Sequence, residues 1–315
     1  MKVLVTGGAG FIGSHVADAL LAAGHEVVIV DDLSTGRREN VPAGATFEAG
    51  DLRDERFLDA LFDRHEFRVI NHQAAQTSVS VSTREPVRDA DINVLGSLRL
   101  MQRALHQGVE RFVFASTGGA IYGEVAEGQR AQLDWTPRPL SPYACSKLAF
   151  ENYLAAQAAG GLKTHILRYA NVYGPRQDPH GEAGVVAIFS QRIALGEGVQ
   201  INARRRAGDD GCIRDYVFVG DVVRANLQAV SGEREPGTVH VGTGEGTSTR
   251  RLAEILCTAA GSEVPRTHGP RRAGDVERSV LEPDAHPSRG PLTPLEEGLA
   301  TTFAFFARAR ESGAS

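Results

Sequence analysis

The chain has 315 residues, 42% hydrophobic and 23% charged. That balance excludes a disordered chain and allows one large domain or two modest ones sharing a core. A net charge of −5 argues against nucleic acid as a partner, and no run approaches the ~20 apolar residues of a membrane span. Cys145, Cys212 and Cys257 form neither a disulfide framework nor a metal-type pair. Met1-Lys2 leads straight into a strand pattern without signal-peptide features, so a reducing cytoplasm is expected, and no metal.

In chain order, Lys2–Thr6 reads as a strand and Ile12–Ala23 as a helix ending at Gly24. Glu26–Val30 is the next strand, then Ala45–Glu48 and a helix over Asp54–Asp63. Arg68–Asn71, Arg111–Ala115 and Thr164–Tyr169 continue the series, with long helices over Val87–Gln107 and Pro142–Ala159. Strands separated by such helices imply right-handed crossovers and a parallel sheet. Apolar runs such as VVIV and FVFA fit strands buried on both faces. Beyond Gly174, Arg176–Gly184, Ala203–Gly211 and Pro265–Gly274 read as loops and the tail from Arg308 as frayed. Val217–Val230 and Val239–Gly244 read as regular segments that return to the large domain. The expected class is α/β: a Rossmann-type doubly wound parallel sheet over residues 1–171, with 215–245 packing back onto it, and a smaller C-terminal α/β substrate-binding domain over 172–315.

The first strand runs into Thr6-Gly-Gly-Ala-Gly-Phe-Ile-Gly13, which opens a helix. Gly7, Gly10 and Gly13 permit a tight turn, and the amides around Phe11 and Ile12 can approach a pyrophosphate at the positive end of the helix dipole. Asp31 ends the next strand where an acid would accept hydrogen bonds from a ribose and repel a 2′-phosphate, which favours NAD over NADP. Asp32 can share that role or cap a loop. By the same strand-end logic, Asp51-Leu52 is placed to hold an adenine, and Ala74-Ala75-Gln76 to pass the pyrophosphate and ribose. His72 reads as a hydrogen-bonded sheet-end residue, and Asn93 equally as a cofactor contact or a buried tie between helix and strand.

Ser141-Pro142-Tyr143-Ala-Cys-Ser-Lys147 has a capping serine and a first-turn proline, so Tyr143 and Lys147 fall one turn apart on one helix face. A nearby ammonium lowers a phenol's pKa from about 10 toward neutrality and makes it a base. The strand ending at Ala115 delivers Ser116 and Thr117 at its carboxyl end, where ligands of open α/β sheets bind.

TGGAGFIG, GDLRD, HQAAQ, FASTGGAIYG, SPYACSK and RYANVYGPRQDP, in this order from Lys2 to about Asp275, resemble the extended short-chain dehydrogenase/reductases, in particular the UDP-glucose 4-epimerases. The resemblance implies Tyr143 as base, Lys147 as its modulator and nicotinamide-ribose contact, and Thr117 as catalytic hydroxyl, with Ser116 as the alternative. It places Asn171, Arg214, Arg272 and Asp275 on a nucleotide sugar, and the amides of a helix starting at Val185 and Val186 beside the nucleotide. Arg204-Arg-Arg206 reads as an exposed loop, with a phosphate-facing role as the alternative. The implied reaction is inversion at carbon 4 of UDP-glucose and UDP-galactose through a transient 4-keto sugar, in a homodimer paired through the two long helices. A dehydratase or decarboxylase would need acidic groups after Thr117, where Gly118-Gly119 stand. The sugar remains open to UDP-glucuronate or a UDP-N-acetylhexosamine, because the pocket wall departs from the family: the 203–211 segment is long, Ala170 is small, and Trp135 is the sole tryptophan.

Overall fold

The structure is a computed structural model that describes residues 1–180, 184–272, 275–284 and 290–311. Its strands are β1 (Lys2–Thr6), β2 (Glu26–Asp31), β3 (Thr46–Ala49), β4 (Val69–His72), β5 (Arg111–Thr117), β6 (Lys163–Tyr169), β7 (Asn171–Tyr173), β8 (Val199–Asn202), β9 (Ile213–Phe218), β10 (Gly237–Val241), β11 (Gly246–Ser248), β12 (Arg266–Gly269) and β13 (Arg278–Ser279). Seven of them form one parallel sheet in the order β10-β6-β5-β4-β1-β2-β3.

Successive side chains of a strand point to opposite faces, and both faces of this sheet are covered. Val3, Val5, Ile29, Val69 and Val113 pack with Val16, Leu20 and Val222, from the helices Phe11–Ala22 and Val219–Ser231. Leu4, Val28, Ile70, Phe112 and Phe114 meet Leu58, Leu100 and Phe150 on the other face, from the helices Glu55–Arg64, Ser97–Gln107 and Pro142–Ala158. The chain leaves β1 toward β2 and later returns to β4 on β1's other side. That reversal opens a crevice at the carboxyl ends of β1 and β4, where a dinucleotide crosses such sheets.

The remaining strands are short. β9 lies between β11 and β13 and also pairs with β7, while β8 pairs with β12. A third apolar cluster, including Val186, Phe189, Ile193, Leu252, Leu256 and Leu299, joins the helices Val185–Ala194, Thr249–Ala260 and Leu295–Glu311.

Several expectations need correction. Pro265–Gly274 is not all loop: β12 occupies Arg266–Gly269, and its hydrogen bonds go to β8 although RTHG has no apolar alternation. The chain does not fray at Arg308, because a helix continues to Glu311. Val217–Val230 does pack back as expected, as the end of a strand followed by a helix that lies on the Phe11–Ala22 helix. The helix expected over Val87–Gln107 is interrupted by a π-helical turn at Asp91–Gly96. Parts of two expected loops (181–183 and 273–274) and of the tail (312–315) lie outside the described residues. None of the described helices is long and apolar enough to cross a membrane.

Candidate active site

The loop after β1 is fixed by contacts that exclude side chains. Gly7 has φ +67°, and a Cβ there would sit 2.7 Å from the Ala74 amide nitrogen, so the loops after β1 and β4 touch backbone to backbone. A Cβ on Gly13 would lie 2.1 Å from the Gly7 carbonyl oxygen, and one on Gly8 would strike Ile29. The helix that follows has no side-chain cap at Gly10 and no acid in its first turn. Its first amides, at Phe11 and Ile12, are therefore unanswered by any capping side chain and face the crevice with the helix dipole behind them, which fits a pyrophosphate.

Asp31 ends β2, and its carboxylate accepts from the amides of Ala9 (3.0 Å) and Leu33 (2.9 Å). Burial pushes its pKa up against those two hydrogen bonds. Each carboxylate oxygen has a second lone pair, so the group can still accept from a ribose hydroxyl. Asp32 is exposed and bonds the amide and hydroxyl of Ser34, which is its loop-capping role. Asp51 is gripped by Arg53 through its amide (2.8 Å) and guanidinium, and that hydrogen bond holds the carboxyl below its usual range. Leu52 packs on the core beside Gly96. His72 is buried between Thr6 (2.6 Å) and Ser97 (2.8 Å), and burial lowers its pKa to about 3, so it stays neutral as a sheet-end residue.

Past β4, the Ala74 amide bonds the Thr6 hydroxyl, and small Ala75 follows. The Gln76 amide donates to Asn93 (2.9 Å), whose own amide nitrogen returns to the Gln76 carbonyl (2.9 Å) and to Asp89. Asn93 is thus a buried tie that holds the cofactor-side loop; its side chain is fully engaged within the protein.

Tyr143 and Lys147 stand in the first turns of the Pro142–Ala158 helix, where the Ser141 hydroxyl accepts from the Ala144 amide. The strand alternation separates the two hydroxyls at the end of β5. Ser116 donates its hydroxyl proton to buried Glu151, which is paired with Arg168 at 2.6 Å, so that proton is not free for a substrate oxygen. Thr117 faces Tyr143, and its hydrogen bond draws the phenol's pKa down. Of the two hydroxyls, Thr117 is the one on the tyrosine's side.

The expected lowering of the phenol by Lys147 is not what the protein alone displays. Burial, seconded by the charge of Asp89, pushes Tyr143 up to about 12. Lys147 donates to the Ala115 carbonyl (2.8 Å) over the face of Phe114, and burial lowers its ammonium to about 7. The free site therefore holds a protonated phenol.

On the opposite wall, Asn171 starts β7 with its Oδ1 against Gly119, where a Cβ would come within 3.0 Å. A Cβ at Gly118 would lie 2.4 Å from the Leu281 side chain. Val186 turns its side chain into the third apolar cluster and Val185 packs beside it; the helix they begin has no side-chain cap. Val186 is buried, so only its amide can reach a ligand, while Val185 is half-buried. Arg214 lies in β9 next to β13, its guanidinium donating to the Ile213 carbonyl (3.1 Å). Arg272 is exposed, and the Asn202 carbonyl oxygen, in the amide orientation that satisfies its neighbours, accepts from it at 2.7 and 3.1 Å. Asp275 is half-buried, its amide turned back to the Arg272 carbonyl.

The Arg204–Arg206 run is a folded loop: the amides of all three arginines and of Gly211 donate to Asp209. Those hydrogen bonds outweigh burial and hold Asp209 far below the ordinary carboxylate range. Sequence reasoning missed Asp89, the Glu151–Arg168 pair and Asp215. Asp215 is buried and accepts from Thr243 and the Gly244 amide, fixing the loop after β10. For Asp215 the signal was its place in the RDY motif; Asp89 had none.

The sequence matches the model of the NAD dependent epimerase/dehydratase family over residues 3–242. It is 42% identical to a UDP-glucose 4-epimerase of Mycolicibacterium smegmatis, over 97% of this chain and 98% of that one. The fold superposes on the Thermus thermophilus UDP-glucose 4-epimerase in complex with NAD with a TM-score of 0.92 and 51% identity, covering 97% of this chain and 99% of that one. The Thermotoga maritima UDP-glucose 4-epimerase with UDP-glucose also gives 0.92, at 44% identity and 98% and 100% coverage. The glycine loop, the strand-end acid and the tyrosine–lysine helix thus have their counterparts in a known group, and this chain belongs to the NAD-dependent epimerase/dehydratase family.

Proposed function

We propose that the protein interconverts UDP-glucose and UDP-galactose by inverting carbon 4 of the sugar, with NAD as its cofactor. The observation that carries this reading is the pair of glycines after Thr117. The tyrosine, lysine and threonine of a sugar-oxidising site are present, but Gly118 and Gly119 stand where acidic side chains would have to be, and a Cβ at either would crowd Leu281 or Asn171. A ketone formed at carbon 4 then has no adjacent acid–base pair to drive dehydration. The near full-length likeness to UDP-glucose 4-epimerases supports the same choice.

In this reading the amides after Gly10 receive the pyrophosphate, Asp31 the adenosine ribose, and the Asp51-Leu52 segment the adenine. Bound NAD supplies a reversible hydride acceptor and a cationic ring. Tyr143 takes the proton of the sugar's 4-hydroxyl, while Thr117 donates a hydrogen bond to the same oxygen. A cation near a phenol lowers its pKa, so a bound cationic ring would favour Tyr143 as base over the protonated phenol of the free site. Lys147, whose charged form Asp89 and Glu151 favour against burial, would add a second positive charge. Arg214 and Arg272 hold the diphosphate, guanidinium geometry suiting phosphate oxygens. Asn171 orients the sugar, and the first amides of the Val185–Ala194 helix face the nucleotide.

Residues 1–171 with 215–245 make the cofactor-binding part and 172–315 the sugar-binding part. Val87, Leu95 and Tyr153 are exposed on the two long helical segments, Val87 by 81%, and these faces pair in a homodimer, which light scattering would test. The three unpaired cysteines suit a reducing cytoplasm. The defining assay incubates pure protein with UDP-galactose and follows UDP-glucose. Conversion supports the reading; failure with NAD added, together with turnover of UDP-glucuronate or a UDP-N-acetylhexosamine, would replace the substrate.

A further inference from the structure

Three parts of the site converge on a buried carboxylate that the roles above leave unused. Asp89 lies on the short Pro86–Ala90 helix and is 1% exposed. Its Oδ1 accepts the side-chain amides of Gln76 (2.7 Å) and Asn93 (3.1 Å), and its Oδ2 accepts the Ser146 hydroxyl. Gln76 belongs to the loop that lines the cofactor crevice, and Ser146 stands between Tyr143 and Lys147 on the catalytic helix. One side chain therefore bolts the crevice loop to the helix that carries the chemistry.

Its charge reaches the same place. Two carboxylates act on Lys147, Asp89 and Glu151. Glu151 is compensated by Arg168, whereas no arginine or lysine forms an ion pair with Asp89 among the described residues. The other groups packed around Lys147 are the Phe114 ring and neutral His72. Tyr143 also feels Asp89.

We propose that Asp89 is the positioning residue of the Tyr143–Lys147 pair: it clamps the catalytic helix to the crevice loop, and its charge sets the pH window in which the pair works. A negative charge stabilises an ammonium and opposes a phenolate, so it raises both pKa values. Removing it lowers both. The phenol would then lose its proton, and the ammonium its charge, at lower pH.

This rests on the epimerase reading only for the turnover assay, so two readouts are needed. Asp89→Asn preserves the shape: its oxygen still accepts from Gln76 and Asn93, and its amide can donate to Ser146. In NAD-loaded protein, the near-ultraviolet phenolate titration of Tyr143 is isolated by subtracting Tyr143→Phe in each background. Its midpoint should fall by about one pH unit in Asp89→Asn. Both limbs of the pH profile for UDP-galactose turnover should slide the same way. Ser146→Ala cuts the clamp but keeps the charge, and should lower turnover at every pH with both limbs fixed. An unchanged Tyr143 midpoint in folded, NAD-retaining Asp89→Asn would overturn the proposal, as would an equal shift in Ser146→Ala. If no UDP-sugar is turned over, the epimerase reading fails, while the titration still decides on Asp89.

Discussion

At the carboxyl ends of β1 and β4 the site is made of backbone against backbone, with the Gly7 carbonyl 2.1 Å from where a Gly13 Cβ would stand and Ala74 closing on Gly7. The residues proposed for the sugar side differ: Asn171 and Arg214 stand on three- and six-residue strands, while Arg272 and the 203–211 segment lie outside strands, the latter held by Asp209. The first region has no freedom to change residue type without moving the chain. The second can exchange side chains while its strands stay paired. On the proposed reading, such a fold holds its cofactor by main-chain shape and its substrate by replaceable side chains, and function is then set by the site rather than by the fold.

Tyr143 sits at the seam between the two regions, and its loss should have the largest effect. Tyr143→Phe removes the base but neither the helix nor the crevice, so UDP-galactose turnover should fall by about 10²–10⁴-fold, with bound NAD retained. A variant keeping more than a tenth of its turnover would show that the proton leaves by another route. The backbone region is challenged next by Gly13→Ala. A methyl group there must displace the Gly7 carbonyl, an overpacking strain of about 1–3 kcal/mol. Purified Gly13→Ala protein should have a lower Tm and lose its NAD. Retained NAD at an unchanged Tm would mean the loop is as adaptable as the opposite wall.

What could be read from the sequence follows the same division. The glycine loop, Asp31 and Tyr143-x-x-x-Lys147 are local patterns: a spacing of three or four residues, at a strand end or on one helix face, already states the geometry. Thr117 needed the structure, because neighbouring strand residues point to opposite faces and only the fold says which face holds the tyrosine. The strand Arg266–Gly269 was illegible because its order comes from hydrogen bonds to β8, 67 residues earlier, rather than from its own side chains. Asp89 was illegible for a related reason. Its partners Gln76, Asn93 and Ser146 belong to three separate segments, and |i−j| reaches 57.

On the substrate wall, Arg214→Ala should leave NAD binding and Tm nearly unchanged and raise KM for UDP-galactose. A hydrogen bond to a charged group contributes about 1.5–3 kcal/mol, which corresponds to roughly a 10–100-fold change. A fall in kcat at constant KM would instead place Arg214 in the chemistry of the reaction and would blur the line between the two regions.

The smallest effect is expected nine residues earlier. Arg205 is exposed and reaches Glu277 at 2.6 Å, but Glu277 also has Arg271 at 3.4 Å, so cutting Arg205 leaves the acid a partner. The loop's shape does not depend on the Arg205 guanidinium, because its backbone amides are gathered by Asp209. Ion pairs this open to water are screened and offset by side-chain entropy. Arg205→Ala should therefore leave Tm unchanged within error, and KM for UDP-galactose within about twofold of the parent, since it removes only such a solvated pair. A KM raised as far as in Arg214→Ala would turn this loop from an exposed flank into part of the phosphate-binding wall. The replaceable side of the site would then extend over the 203–211 segment.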